Sequence, residues 1–442
     1  MRVHFISKGN DEDYVMLLCD SLKFYNINRR TKEIIEDIAE DNNEDEFIKK
    51  HSITPDDYAK IKLLLSANET PLSTAERPDG LYKLVMNVTN VCNLNCRYCY
   101  AGGGNYNSFE GLMSVDVAKK IVDTFYDRYK KIKLIQFFGG EPLLNIPVIE
   151  FVCDYIEKKF KNNEIELMPQ FSAVTNGTIC NEKIVELINR YNIAVTVSID
   201  GPKAVHDKMR VFNDGRGSLD KILENIATMK KYTQQPIAVE GTYNSAHLEN
   251  SISILDVIKY VKDTLKIDNI HITPVSADQD SPYRLPDRTP FINSVHEIFK
   301  ENITNSTKYS YSFVQRTIES LQRKHSSKYF CEAGISTIGV SHIGDVYPCF
   351  MFTGISKFKM GNVFDDDLFT SDKYNQMVSS IKSFSKFDDE KCKDCFNNRI
   401  CYGCLGLNYF KTGNVHRFSD EDCDMQRKLT EHILVELSNM MK

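Results

Sequence analysis

Tryptophan is absent from the 442 residues, and so is any apolar run approaching the roughly 18 residues that a bilayer-spanning helix needs. A basic excess is missing too. Fifty-five Lys and Arg stand against 61 Asp and Glu, a formal net charge of −6, which argues against general nucleic-acid binding. The opening Met1-Arg2-Val3-His4-Phe5-Ile6 passes directly to polar residues and does not read as a signal peptide, so the expected location is the cytoplasm. Without an export signal, thirteen cysteines point to metal sites rather than disulfides. Ten fall in motif-like positions; Cys19, Cys153 and Cys180 do not and read as small buried hydrophobes. Hydrophobic content of 42% and charged content of 26% are ordinary for a soluble protein long enough for two or three domains.

Residues 1–68 read as a small separate domain. Arg2–Ser7, Tyr14–Cys19 and Leu22–Ile27 suit three short strands with polar turns between them. Three helices follow. Glu33–Asp41 places Ile34, Ile35 and Ile38 on one face, Glu44–His51 is short, and Thr54 caps the third with Pro55 at its first position and Asp57 in the capping-box position. Glu33–Glu46 holds acids and no base, a pattern of a solvated face. Residues 69–83 carry no periodicity and read as a linker.

Strands and helices then alternate. The strand candidates are Leu84–Thr89, Leu134–Phe138, Phe171–Asn176, Ala194–Asp200, Ile237–Tyr243 and Asn269–Val275. Between them lie amphipathic helices at Val115–Tyr129, Pro147–Lys159, Glu182–Tyr191, Ser218–Tyr232 and Ser251–Thr264. Six such units predict an α/β domain over 84–310, a parallel sheet curled into a partial (β/α)6 TIM-like barrel whose site lies at the C-terminal strand ends. Residues 311–442 change character, with returning cysteines and a closing helix at Asp424–Met441.

Immediately after the first of these strands comes Cys92-Asn93-Leu94-Asn95-Cys96-Arg97-Tyr98-Cys99, a C-x3-C-x2-C run. Three thiolates so spaced can hold three irons of a [4Fe–4S] cubane and leave the fourth open. The alternative is zinc, since C-x2-C is also a zinc spacing, although closed zinc sites want four ligands. The run resembles the signature of radical S-adenosylmethionine (SAM) enzymes, in which the open iron binds SAM and reductive cleavage yields a 5′-deoxyadenosyl radical. Phe138-Gly139-Gly140-Glu141-Pro142 matches that family's GGE motif. The resemblance implies that Gly139 and Gly140 let backbone approach the methionine end of SAM and that Glu141 positions its ammonium. Ser198-Ile199-Asp200-Gly201-Pro202, with His206 and Arg210, is similar to peptide and sulfatase maturases of this family. Ser198 and Arg210 would then contact the ribose and carboxylate of SAM, with Asp200 beside them. Tyr98 would lie near adenine, Val275 or Ser276 would flank it, and Thr175-Asn176-Gly177 would be a structural turn.

Cys331, Gly344 with Cys349, Cys392, Cys395, Cys401, Cys404 and Cys423 resemble the seven-cysteine SPASM domain. One departure is Cys401-Tyr402-Gly403-Cys404, which is C-x2-C where the family has C-x3-C. By resemblance Cys392, Cys395, Cys401 and Cys423 ligate one auxiliary cluster, and Cys331, Cys349 and Cys404 ligate another, three [4Fe–4S] clusters in all. Relatives with an eighth cysteine carry it where this chain has His325, so the latter cluster has either an open iron or His325 as fourth ligand. A zinc ribbon is the alternative for Cys392–Cys404.

The three strands and three helices of residues 1–68 resemble the winged-helix-like RiPP recognition element, which binds the leader of a ribosomally made peptide as an added strand; a module for another partner, or a packing domain, would look similar. Sulfatase maturases place a basic Asp directly after the cysteine of the G-x4-C motif, and here Phe350 stands there. The resemblance therefore implies a peptide maturase of the sactipeptide or ranthipeptide type, which joins a Cys sulfur to carbon in a thioether, with a flavodoxin or ferredoxin as electron donor. The alternatives are carbon–carbon or carbon–oxygen crosslinking, peptide excision or epimerisation, or a non-catalytic iron–sulfur or zinc protein.

Overall fold

The computed structural model describes residues 2–38, 43–66, 73–74, 80–277 and 280–441. Most of the expected linker, and Glu40 and Asp41 of the acidic run, lie outside the described residues.

The N-terminal unit is an antiparallel meander of β1 (Val3–Ser7), β2 (Asp13–Leu18) and β3 (Lys23–Asn28), followed by helices Arg29–Ile38, Glu44–His51 and Pro55–Ser66. The third helix begins as its capping box requires: the Asp57 N–H donates to the Thr54 hydroxyl (3.1 Å) and the Thr54 N–H to the Asp57 carboxylate (3.3 Å). Strand β2 is buried on both faces. Met16 and Leu18 meet Ile34, Ile35, Phe47 and Tyr58 of the helices. Val15 and Leu17 meet Leu321, Ile400 and Leu434 from the C-terminal third of the chain. Each such side chain contributes about 1.5–3 kcal/mol by leaving water, so the unit is fastened to the rest of the molecule by a shared core.

The main sheet has nine strands in the order β10-β9-β8-β7-β6-β5-β12-β13-β14. Strands β5 (Leu81–Thr89), β6 (Ile132–Gly139), β7 (Gln170–Thr175), β8 (Ala194–Ser198), β9 (Ala238–Tyr243) and β10 (Asn269–Pro274) run parallel in chain order, separated by helices. One face carries Leu84, Met86, Ile135, Phe137, Ala173, Val195, Val197 and Ile272, packed in one core with helix residues such as Ile121, Val152, Leu187 and Ile222. Alternation puts Lys83, Asn87, Gln136, Phe138, Ser198, Glu240 and His271 on the other face. That face is polar because it faces the space in which a site can be built.

The sequence pattern missed the sheet's extension. Short β12 (Thr337–Val340) pairs parallel with β5, and β13 (Asp345–Tyr347) and β14 (Gly361–Asn362) continue antiparallel, so one sheet runs across the expected boundary at 310. A further two-residue pair, β4 (Ser73–Thr74) with β11 (His325–Ser326), joins the segment before β5 to the start of the C-terminal region. The helix expected over Ser251–Thr264 begins three residues later and runs from Ile254 to Thr264. Ser253 starts it with a capping box to Asp256, and Tyr260–Thr264 continues as a wider turn. The closing helix spans Asp420–Met440 and is capped by Ser419, so Cys423 sits in its first turn rather than before it. No helix among the described residues is long and apolar enough to cross a membrane.

Candidate functional site

The Cys92 loop leaves the end of β5 and is strapped to the chain around Arg210. The Asn95 N–H donates to the Val211 carbonyl (2.8 Å) and the Arg97 N–H to the Met209 carbonyl (2.9 Å). This brings the Arg210 guanidinium against the Cys96 thiol, where it pulls the thiol down while burial pushes it up more strongly, to about 11. Burial likewise pushes Cys92 up to about 12. Such thiols ionise only where a metal or positive charge stabilises the thiolate.

The two glycines after Phe138 approach this loop. A Cβ on Gly140 would clash with the Val91 carbonyl, and Gly139, at φ 142°, sits against the Thr89 carbonyl. The Gly140 and Glu141 N–H groups donate to the Thr89 and Val91 carbonyls (both 2.9 Å). The close approach expected toward SAM is thus made first to the protein's own cysteine loop. Glu141 is fully buried and accepts from the Thr175 hydroxyl (2.7 Å), the Asn176 N–H (2.7 Å) and the Leu143 N–H (3.0 Å). Burial raises its carboxyl to about 7 against these donors. Three of the roughly four acceptor positions of a carboxylate are therefore filled by protein groups. Glu141 ties the ends of β6 and β7 together.

Asn176 was read only as a turn residue. Its amide N–H2 reaches the Cys92 sulfur (3.7 Å) and the Asn93 carbonyl oxygen of the side chain (2.9 Å). With the Leu94 N–H it is a neutral donor at this thiol, and the Thr-Asn-Gly motif was the signal that marked it.

At the end of β8, Asp200 is a hub. Its carboxylate accepts from Tyr98 Oη (2.5 Å), Arg210 Nε (3.0 Å) and the Thr242 N–H (3.0 Å). Its pKa falls below the usual carboxylate range: burial opposes ionisation, but Arg210, His206 and the hydrogen bonds favour it. Two histidines hold the hub by backbone. The Asp200 N–H donates to His206 Nδ1 (3.4 Å), leaving the proton on Nε2, which faces the Ser218 hydroxyl at 3.0 Å; that hydroxyl donates to the Arg210 carbonyl (2.7 Å). The Asn244 N–H donates to His247 Nδ1 (3.1 Å), so Nε2 donates to the Asp200 carbonyl (2.9 Å). Burial lowers the pKa of His206 to about 4. Ser198 lies one strand from Glu240, with Oγ 3.3 Å from its Oε1. Val275 is buried just past β10, its N–H on the Tyr243 carbonyl (2.9 Å). Cys92, Cys96, Cys99, Tyr98, Gly139, Gly140, Glu141, Ser198, Asp200 and Arg210 therefore gather at the C-terminal ends of the parallel strands.

The other seven cysteines divide into two groups by their mutual electrostatic influence. Cys331, Cys349 and Cys404 act on one another, with burial pushing Cys331 up to about 11 and Cys349 well above a thiol's ordinary value. Cys392, Cys395, Cys401 and Cys423 form the second group, in which burial pushes Cys392 and Cys401 up to about 12. Lys386, only 2% exposed, donates to the Cys401 carbonyl within this group. Among the described residues no three His, Cys, Asp or Glu side chains converge as a single-ion site; a cubane spans several ångströms and holds its thiolates further apart. His325 lies on β11 and shares a cavity of about 310 Å³ with Arg316, Cys331, Lys386, Cys401 and Tyr402. Phe350, next to Cys349, puts its ring 4.4 Å from that of Phe138, over the polar face.

The chain matches the family model of the radical SAM superfamily over residues 86–261 and that of the SPASM iron–sulfur cluster-binding domain over 331–396. An uncharacterised protein, MJ0907, of Methanocaldococcus jannaschii is 31% identical over 287 residues, 65% of this chain and 90% of its own. The chain belongs to the radical SAM superfamily. Within it, the radical SAM cyclopropyl synthase TigE of Paramaledivibacter caminithermalis is 25% identical, over 90% of this chain and 83% of its own length. The antilisterial bacteriocin subtilosin biosynthesis protein AlbA of Bacillus subtilis is 24% identical over 73% of this chain and 67% of its own. Among solved structures, native anSMEcpe with bound AdoMet superposes with a TM-score of 0.67 at 22% identity, covering 81% of this chain and 99% of that one. This likeness shows a shared fold.

Proposed function

We propose that this radical SAM enzyme modifies a ribosomally made precursor peptide and joins a Cys sulfur of that peptide to carbon as a thioether. The supporting observation is the apolar Phe138–Phe350 contact beside a set of three cysteines, Cys331, Cys349 and Cys404. No carboxylate stands at the Phe350 position to act as the base of a sulfatase maturase, and three thiolates suit a cluster with one iron left for a substrate sulfur.

In this reading Cys92, Cys96 and Cys99 hold the SAM-binding [4Fe–4S] cluster, Cys331, Cys349 and Cys404 the first auxiliary cluster, and Cys392, Cys395, Cys401 and Cys423 the second. When bound, SAM would supply the radical that takes one hydrogen atom from the peptide carbon, while the thiol proton would go to solvent and the remaining electron to an auxiliary cluster. The residues of this chain bind and position the reactants. Arg210, held by Asp200, presents positive charge for the SAM carboxylate; Ser198 lies where the ribose would be, and Tyr98 and Val275 frame the adenine. Glu141 fixes the strand ends, and Gly139 and Gly140 keep the Cys92 loop close to them. Residues 1–68 are a recognition element that takes the leader as an added strand, a linker leads from it to the partial barrel whose sheet begins at Leu81, and 311–442 form the auxiliary-cluster domain. A flavodoxin or ferredoxin supplies electrons in the cytoplasm.

A second reading, carbon–carbon bond formation, is favoured by TigE, the relative that spans 90% of the chain. Anaerobic co-expression with short Cys-containing peptides encoded beside the gene separates the two. A product lighter by two hydrogens whose cysteine resists alkylation is the thioether. The same mass loss with an alkylatable cysteine is a bond between other atoms, as in the carbon–carbon product, and refutes the first reading.

A further inference from the structure

Lys83 stands in the field of one auxiliary cysteine group and Lys386 in that of the other. Lys386 spends its ammonium on the Cys401 carbonyl. Lys83 does not: its side chain makes no hydrogen bond or ion pair among the described residues. It lies on the polar face of the main sheet, in register with Thr337 of β12. Two residues on, the same face of β12 presents Gly339, where a Cβ would stand 2.7 Å from the Cys349 carbonyl carbon and the Phe350 nitrogen. Cys349 therefore rests directly on the sheet, diagonal to Lys83 and one strand away. The Lys83 N–H also donates to the Ser336 carbonyl (2.9 Å), in the turn that follows Cys331. Cys349 and Cys331 are the strongest acidic influences on Lys83, and the other charges that face it, Glu240 and Arg316, oppose each other in sign.

An ammonium that is partly buried and has no partner is unfavourable unless a counter-charge completes it. A cluster held by thiolates carries net negative charge and would do so. We propose that Lys83 is the counter-charge of the cluster held by Cys331, Cys349 and Cys404 and raises its reduction potential. The proposal rests on that cluster assignment. A fixed positive charge favours the more negative, reduced state, so its removal makes the cluster harder to reduce. Lys83 is a positioning residue in this role: it acts through the cluster and sets how readily it accepts an electron.

The test is a redox titration of anaerobically reconstituted holoenzyme followed by electron paramagnetic resonance, with the first auxiliary cluster identified as the signal missing from Cys349→Ala. In Lys83→Met that signal should titrate at a more negative potential while the other two stay in place, and Lys83→Arg should return it toward the wild-type value. Lys83→Gln serves if the Met variant does not assemble. An unmoved potential at full iron content overturns the proposal for Lys83 alone. A Cys349→Ala protein that keeps every signal overturns the cluster assignment, and with it the role of Lys83, before Lys83 is changed.

Discussion

Mild acid should loosen this protein through one buried imidazole. His206 is 0% exposed and its pKa is lowered from 6.5 to about 4, chiefly by burial and further by Arg210, with Asp200 pulling the other way. The unfolded chain therefore binds a proton below pH 6.5 that the native state refuses until about pH 4. Stability from this group is intact above pH 6.5, falls as pH drops, and falls no further below about 4. At about 1.4 kcal/mol per decade of proton affinity, the loss is about 2 kcal/mol at pH 5 relative to pH 8 and approaches about 3.4 kcal/mol at its limit. Urea unfolding of the apoprotein from pH 8 to pH 5, for the wild type and His206→Gln, isolates the effect, because His271, whose pKa burial also lowers to about 4, is common to both. The variant should be the weaker at pH 8, having lost the link from Asp200 to Ser218, and the two should draw together by about 2 kcal/mol at pH 5. Parallel stability curves would refute the account, since they would mean that His206 titrates alike in both states.

Gly140→Ala should disorder the Cys92 loop and remove one cluster's share of bound iron, read by iron analysis and absorbance, while the two auxiliary signals persist. Asn176→Leu, which removes the amide donor at Cys92, should shift the SAM-binding cluster to a more negative potential and slow release of 5′-deoxyadenosine. Phe350→Asp combined with His325→Cys should abolish thioether formation and leave SAM cleavage measurable; undisturbed product would sink the open-iron reading. Arg210→Lys, with a single point charge in place of a planar fork shared between Asp200 and Cys96, should weaken SAM binding about tenfold or more in a calorimetric titration, the loss of one charge-assisted hydrogen bond.

Much of this was legible beforehand because it is carried by local pattern. All six parallel strands lie at predicted apolar runs, five of which end in Asn, Asp or Gly, and the helix Glu182–Tyr191 has the predicted bounds. The cysteine groups could be read because ligand spacing is a short-range property. What escaped is long-range. Strands β12 to β14 span four, three and two residues, too short for an alternation to show, and exist because β5 offers them an edge. Glu141 looked free for a ligand, but sequence cannot reveal that Thr175 and Asn176, more than thirty residues away, already occupy it. The early start of the closing helix was readable: Ser419 followed by Asp420-Glu421-Asp422 is a start signal.

The N-terminal strand touches the second auxiliary group directly. Arg2 donates to the carbonyls of Lys393 (2.9 Å) and Cys395 (3.3 Å), and the His4 ring stacks on Phe396 at 3.7 Å. A module fastened so close to a cysteine turn is no detachable adaptor. Grafting it from a relative, or deleting it to ask what it recognises, would also disturb the turn that carries Cys392 and Cys395, and loss of turnover after such surgery would say nothing about peptide recognition. The recognition role proposed for residues 1–68 is better probed by single substitutions within its sheet, and an exchange of this module between relatives would have to carry residues 393–399 along with the strands they support.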